Sequence, residues 1–177
     1  MERRLVLWLS IIAFAIVLAV DVLYIALINS QGRSDMPYIP RFVGGYLAVM
    51  AAMIAVSLLP RPEVASIRVL LRAAAAAGLF VLGFLAALSI GPPLVLAGFL
   101  VTLALTRTAR EPRKGVARLS GLVAAAISVA VLLVGLEVTQ RLIVCPEAGT
   151  SGGGGSGFLT GPYQYECDNG VLRYHSG

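Results

Sequence analysis

Charged residues are scarce in this chain, and their scarcity excludes a soluble domain. Only 13% of the 177 residues are Asp, Glu, Lys or Arg, whereas 58% are hydrophobic. A soluble domain carries about 25% charged residues, because its surface must be wetted. The apolar residues also form runs of roughly 18 to 24, the length that a helix needs to cross a hydrocarbon core of about 30 Å. The composition therefore predicts an all-α, multi-pass transmembrane protein that has the lipid bilayer as a partner.

Residues that commonly carry chemistry are equally few. The chain has one His, two Cys and one Trp, and no cluster of His, Cys and carboxylates has the spacing of metal ligands. It also lacks a P-loop, an H-E-x-x-H motif and a heptad repeat. A G-x-S-x-G motif at residues 149–153 lacks the strand–turn–helix elbow that a serine hydrolase needs. The sequence therefore predicts neither an enzyme, nor a cofactor, nor a metal site.

Lysine is nearly absent, since every basic residue except Lys114 is an arginine. Such a bias is typical of GC-rich bacterial genomes and suggests a bacterial inner-membrane protein. Residues 107–118 form a basic loop between two apolar runs, and short loops of this kind stay on the cytoplasmic side. The loop is predicted to be a cytoplasmic anchor and not a site for nucleic acid. Its basic members are Arg107, Arg110, Arg113, Lys114 and Arg118.

Five apolar runs give the expected organisation of the chain. Residues 1–140 are predicted to form a five-helix membrane bundle, with spans at 5–28, 42–59, 67–90, 93–106 and 116–139. Gly91 and the two prolines after it predict a tight turn between the third and fourth spans, because proline is tolerated in the first turn of a helix. Two alternatives are a first run that is a cleaved signal peptide and a fourth run that is only re-entrant.

The distribution of basic residues predicts the orientation of the bundle. With five spans and the basic loop inside, ten basic residues are cytoplasmic: Arg3, Arg4, Arg61, Arg68, Arg72, Arg107, Arg110, Arg113, Lys114 and Arg118. Four are outside: Arg33, Arg41, Arg141 and Arg173. Ten against four follows the positive-inside rule, so the N-terminus is expected in the cytoplasm and the C-terminus outside.

Residues 141–177 are predicted to form an extracytoplasmic tail. Its two cysteines, Cys145 and Cys167, are expected to form a disulfide, since that compartment permits oxidation. The chain-entropy model values the closed loop at roughly 3 kcal/mol. A redox-active pair is the alternative, although catalytic dithiols usually occur as C-x-x-C. Within the loop, glycine dominates residues 149–157, which are expected to be a flexible tether because ordering glycine is entropically costly.

The end of the tail has the pattern of a β-hairpin. Asn169-Gly170 is a favoured pair for a type I′ turn, and the strands around it alternate between apolar and polar residues. In that register Tyr165 faces Tyr174 and Glu166 faces Arg173. One face then carries the contact residues Tyr163, Tyr165, Leu172 and Tyr174. An isolated hairpin is marginal in water, so this face is expected to rest on outer loops or helix ends; alternatively, its tyrosines lie among lipid headgroups.

Asp21 is the one ionisable residue well inside a predicted span. A charge near the centre of a span costs at least about 2.5 kcal/mol, so this side chain should face other helices or a wet cavity. It is either a proton or cation site or a protonated or hydrogen-bonded carboxyl that joins two helices, through Tyr24 or a serine or threonine. The structural role is favoured, because no basic partner lies within the spans. Glu137, near the outer end of the fifth run, is expected to be solvated or paired with Arg141.

These features favour a non-catalytic role. The expected function is that of an accessory or structural subunit of a membrane complex, with a membrane-protein partner or a homo-oligomer as the assembly. The alternative is a small transporter or channel component that uses Asp21. Five spans lack the inverted-repeat symmetry common in secondary transporters, so that role would require oligomerisation.

Overall fold

The chain folds into five helices followed by a small antiparallel sheet. The structure, a computed structural model, describes residues 2–31, 37–108, 114–157 and 160–176. The helices are α1 (Glu2–Gln31), α2 (Tyr38–Leu58), α3 (Pro62–Leu85), α4 (Gly91–Thr108) and α5 (Lys114–Gln140). The strands are β1 (Thr150–Gly157), β2 (Gly161–Asp168) and β3 (Val171–Ser176).

Within the described residues, four helical segments are long and apolar enough to cross a membrane: Arg4–Ser30, Tyr38–Leu58, Ile67–Leu85 and Leu119–Gln140. The apolar segment of α4, Gly91–Arg107, is shorter. Large hydrophobic side chains such as Leu23, Phe84 and Leu122 are more than half exposed on the outer surface. In water these side chains would favour burial, whereas lipid tails solvate them. The prediction of several helices long and apolar enough to span a membrane is confirmed for these four segments.

The apolar core lies where the helices meet. α4 packs against α1 and α3, and α2 also contacts both α1 and α3. Val17, Leu47, Leu79 and Leu94 are fully buried in this core and come from α1, α2, α3 and α4 respectively. α5 packs extensively on α3 and less extensively on α2, and its Leu132 and Leu136 belong to the same core. α5 is therefore held mainly by α3.

The turn between α3 and α4 begins earlier than predicted. α3 ends at Leu85 and residues 86–90 form the turn, whereas the apolar run suggested a helix to Ile90. Hydrophobicity continues through the turn, so it could not mark the helix end. Leu88 is fully exposed at this turn.

Gly91 is required by the close approach of two backbones at this turn. Its amide donates to the carbonyl of Ala86 at 2.9 Å. A Cβ at position 91 would overlap the carbonyl oxygens of Gly83 and Ala86. Pro92 and Pro93 follow in the first turn of α4, where a missing N–H leaves no bond unmade. The two helices are thereby joined by a tight hairpin, as predicted.

The sheet is antiparallel with β2 in the centre and β1 and β3 at its edges. Asn169 and Gly170, between β2 and β3, have φ of 46° and 83°, as a type I′ turn requires. Tyr165 pairs with Tyr174, so the hairpin has the predicted register. Burial alternates along β2, and Tyr165 and Cys167 are on the buried face.

The glycine-rich segment is an ordered strand, which corrects the expectation of a flexible tether. β1 pairs with β2 along its whole length. A Cβ at Gly153 would lie 2.9 Å from the hydroxyl of Tyr165, and one at Gly155 would lie 2.8 Å from the hydroxyl of Tyr163. Two tyrosines of β2 therefore lie across the glycines of β1. They cover backbone that has no side chain of its own, and this contact offsets the entropy lost by ordering glycine.

Candidate functional site at the end of helix α5

Two tyrosines of the sheet hold the C-terminal end of α5. The hydroxyl of Tyr163 donates to the carbonyl of Gln140 at 3.1 Å, and that of Tyr174 donates to the carbonyl of Arg141 at 2.7 Å. The last carbonyls of a helix have no partner within the helix, so the tyrosines satisfy them. Burial raises the pKa of Tyr163, and its hydroxyl therefore stays protonated and able to donate. The aromatic face of the hairpin thus rests on a helix end.

Glu137 makes a second connection between α5 and the sheet. Its side chain is buried, with only 7% of the residue exposed. The hydroxyl of Thr160, just before β2, donates to its Oε1, and Nη2 of Arg141 lies 3.6 Å from the same oxygen. A Cβ at Gly157 would overlap the carboxylate, so glycine lets the turn approach it. Glu137 pairs with Arg141, and it also binds the sheet, which the sequence did not suggest.

A disulfide closes the tail. Cys145 lies in the segment that follows α5, and it is bonded to Cys167 in the central strand, with Cα atoms 5.4 Å apart. Only 1% of Cys167 is exposed. The bond therefore joins the buried face of β2 to the chain leaving α5, close to the two tyrosine contacts.

The opposite face of the sheet is polar and open. Its exposed side chains are Gln164, Glu166, Asp168, Val171, Arg173 and His175. Glu166 pairs across the strands with Arg173, and its Oε2 lies 4.0 Å from Nε2 of His175. Exposed ion pairs stabilise a fold by only about 0–1 kcal/mol. This face is therefore not required to hold the sheet together, and its charges are free to meet another molecule.

Asp21 lies at the α1–α2 interface, as a buried carboxyl should. It is 7% exposed, and its Oδ1 is buried with no hydrogen-bond partner. A Cβ at Gly44 would lie 3.5 Å from Oδ1 and 3.4 Å from the side chain of Ile25. Glycine in α2 therefore leaves room beside the carboxyl. No hydroxyl bonds to it in the described part of the chain, so the expected joining hydrogen bond is not formed.

A cleft of about 390 Å³ opens at the end of the bundle that carries the sheet. Tyr24, one turn after Asp21, contributes to its wall together with Ser89 and Gln140. The Oε1 atom of Gln140 is buried without a hydrogen-bond partner. The cleft thus combines apolar walls with a few polar groups, as small-molecule pockets do.

A buried hydrogen bond joins α2 to α5 farther into the bundle. The hydroxyl of Tyr46 donates to the carbonyl of Ser128 at 3.1 Å and lies 2.9 Å from its hydroxyl. Met50 contributes its sulfur 3.9 Å from the Ser128 hydroxyl. An apolar groove of about 420 Å³ lies alongside, between α2, α3 and α5. Sequence reasoning missed this contact, because nothing local relates residues 82 positions apart.

The two arginines of α3 bind the end of α2. Nη2 of Arg68 donates to the carbonyl of Leu59 at 2.9 Å, and Nε of Arg72 donates to the hydroxyl of Ser57 at 3.3 Å. Arg72 is only 3% exposed. Cations at a helix C-terminus interact favourably with the helix dipole. These side chains therefore stabilise the junction between α2 and α3.

Most of the predicted cytoplasmic anchor lies outside the described residues. Arg107 is in the last turn of α4. Arg110 and Arg113 fall outside the described ranges, and so do the side chains of Lys114 and Arg118. Among the residues that the structure describes, no group of three or more His, Cys, Asp or Glu is placed to hold a metal ion.

Comparisons with known proteins identify no family for this chain. No family model, no curated protein and no solved structure matches it.

Proposed function

We propose that the chain is a non-catalytic accessory or structural subunit of a membrane complex. The observation that supports this role most directly is the attachment of the sheet. Its aromatic face is fixed to α5 by Tyr163, Tyr174 and Glu137, while its polar face is left open. A side-chain array held rigidly on a membrane helix is suited to binding a partner protein.

The proposed setting is a bacterial inner membrane crossed five times. α4 has 18 residues, about 27 Å at ~1.5 Å per residue, close to the ~30 Å of a hydrocarbon core. It packs against two longer apolar helices, α1 and α3, which favours a fifth span. With ten basic residues on one side and four on the other, the positive-inside rule then places the N-terminus in the cytoplasm and the sheet outside.

The partner surface is proposed to be the open face of the sheet. Glu166, Arg173 and His175 carry both signs of charge within one small area. Such mixed patches discriminate between partners, because a wrong partner meets like charges. The proposed partner is therefore another membrane protein with a complementary charged surface outside the membrane.

Replacing Glu166, Arg173 and His175 together by alanine tests this surface. We expect recovery of the co-purifying membrane protein from mild detergent to fall at least tenfold, a loss of about 1.4 kcal/mol in binding. The sheet itself should keep its disulfide, since these residues are exposed. The matched control is Glu147→Ala, which removes an exposed charge outside the sheet and should leave recovery unchanged. A protein that purifies alone, or a triple variant with full recovery, contradicts the proposal.

A second candidate function is supported by Asp21. A carboxyl with a buried, unpartnered oxygen is costly in a membrane and is often functional. Tyr24, one helical turn farther along α1, reaches the cleft at the end of the bundle. This geometry suits a proton or cation site in a small transporter or channel component.

Asp21→Asn tests the second candidate, because an amide has a similar shape and cannot exchange a proton near neutral pH. If Asp21 carries ions, proton or cation uptake into proteoliposomes is abolished while abundance and thermal stability stay as in the wild type. Asp168→Asn, at an exposed position of the sheet, is the control and should not change uptake. Equal uptake by the wild type, Asp21→Asn and empty liposomes excludes this function.

A further inference from the structure

The two edge strands of the sheet differ in how they are protected. β3 carries the exposed charge of Arg173 and the exposed polar side chain of His175. β1 is largely exposed and has no charged residue and no proline, and its eight consecutive pairs with β2 contain no bulge. Charges, proline and bulges are the means by which proteins prevent an edge from pairing with another strand. β1 is therefore an open pairing edge, whereas β3 is not.

The pairing within the sheet determines which groups of β1 point outward. The amide of Asn169 donates to the carbonyl of Gly149 at 3.0 Å, so position 149 is a hydrogen-bonded position. Such positions alternate along an antiparallel ladder, and the odd-numbered residues of β1 therefore bond to β2. The residues that direct their N–H and C=O groups to the open edge are Thr150, Gly152, Gly154 and Ser156. Pro162 lies opposite Ser156, where no N–H toward β1 is needed.

We propose that β1 pairs in antiparallel fashion with β1 of a second copy of this chain, so that two sheets form one six-stranded sheet. A two-fold axis perpendicular to the sheet keeps both aromatic faces on the same side. Even-numbered residues must then face even-numbered residues. The register centred on Gly153 meets this condition along most of the strand. It pairs Thr150 with Ser156 of the second copy and Gly152 with Gly154 of the second copy.

A second copy suits this edge because self-pairing closes the assembly. It covers both open β1 edges and leaves a charged β3 at each end, so the sheet does not extend further. Pairing β1 with itself brings no like charges together. Thr150 and Ser156 become a cross-strand hydroxyl pair, which stabilises antiparallel sheets. The outward glycines also present no side chain that would keep the second backbone away.

The attachment of the sheet to α5 is compatible with this symmetry in a membrane. Strand side chains stand roughly perpendicular to their sheet. The hydroxyls of Tyr163 and Tyr174 meet the last carbonyls of α5, so the sheet lies across the end of that helix. A two-fold axis perpendicular to the sheet then runs along α5. Two copies in one membrane with the same orientation require an axis in this direction.

Cysteine cross-linking between two differently tagged copies tests the pairing. One copy carries Thr150→Cys and the other Ser156→Cys, and the full-length proteins are co-expressed and oxidised in the membrane. Hydrogen-bonded antiparallel partners have Cα atoms about 5.5 Å apart, within the range of a disulfide. We expect a dimer that contains both tags. Either variant expressed alone should not cross-link, because its two cysteines would be about 20 Å apart at ~3.3 Å per residue.

Ser156→Pro distinguishes a loss of pairing between the two copies from misfolding of the sheet. The N–H of Ser156 points to the open edge, so proline removes no bond to β2 but blocks the second strand. This variant should keep the Cys145–Cys167 disulfide and run as a monomer in detergent where the wild type runs as a dimer. A monomeric wild type, or a mixed-tag sample that does not cross-link although its cysteines react with a thiol label, overturns the proposal. Substitutions on the polar face leave this edge unchanged, so the partner proposal can fail independently.

Discussion

Replacing both Cys145 and Cys167 by serine is expected to accelerate amide hydrogen exchange throughout β1, β2 and β3 by about a hundredfold. The two cysteines are 22 positions apart, and the chain-entropy model values a loop of this length at roughly 3 kcal/mol. Each 1.4 kcal/mol corresponds to about a factor of ten in an equilibrium constant. Exchange measured by mass spectrometry in detergent reports this change segment by segment.

The effect should be confined to the sheet. The apolar core is formed by residues of all five helices, and the sheet is attached to them at the end of α5. Without the disulfide, Tyr163, Tyr174 and Glu137 still attach the sheet to α5. They then have to stabilise a small sheet that is only marginally stable by itself. The helices should therefore keep their exchange rates while the strands open.

Val144→Ser is the matched control for the disulfide variant. It introduces serine next to Cys145 at a position that is 48% exposed, and it leaves the bond in place. Its exchange pattern should match that of the wild type. Strand exchange that is the same in the double variant and in the control contradicts a stabilising disulfide. Equal acceleration in the helices and the strands contradicts a local effect.

Local signals in the sequence were sufficient for the helices and the hairpin. Runs of apolar residues predicted the helices because lipid imposes both composition and length. Asn169-Gly170 predicted the turn because two consecutive residues with positive φ require such a pair. The wrong end of α3 has the same origin, since the residues between Leu85 and Gly91 are also apolar and hydropathy does not distinguish a turn from a helix there.

The contacts that attach the sheet could not be predicted in this way. β1 is a strand because Tyr163 and Tyr165 cover its glycines, and this stabilisation depends on the partner strand and not on the segment itself. Tyr46 and Ser128 meet across 82 positions. Asp21 was expected to be buried from its depth in the helix, but its lack of a partner depends on the arrangement of α2. Burial follows from composition, whereas pairing follows from packing.

Replacing Gly78 by alanine is expected to lower the thermal stability of the bundle, at a cost of about 1–3 kcal/mol, as overpacking of a core does. Gly78 is buried in α3 where that helix meets α2 and α5. A Cβ there would lie 2.8 Å from the sulfur of Met50 and 2.9 Å from the hydroxyl of Ser128, and it would overlap the hydroxyl of Tyr46. These three groups form the buried contact between α2 and α5. The added methyl group must therefore separate the helices or break the Tyr46–Ser128 hydrogen bond.

Gly45→Ala is the matched control, because it makes the same chemical change in α2 beside the same groove. A Cβ at Gly45 meets no atom within 4 Å, and alanine favours a helix over glycine by up to about 1 kcal/mol. Its unfolding temperature in detergent should therefore equal or exceed that of the wild type, while that of Gly78→Ala falls. If both variants unfold at the wild-type temperature, α2, α3 and α5 leave room for a methyl group at position 78 and are not closely packed there. If both are destabilised alike, the loss follows from removing glycine and not from the contact with Tyr46. Only a fall in unfolding temperature that is specific to Gly78→Ala supports the close packing of α5 on α3. This packing matters for the sheet, because α3 positions α5 and the sheet is attached to α5.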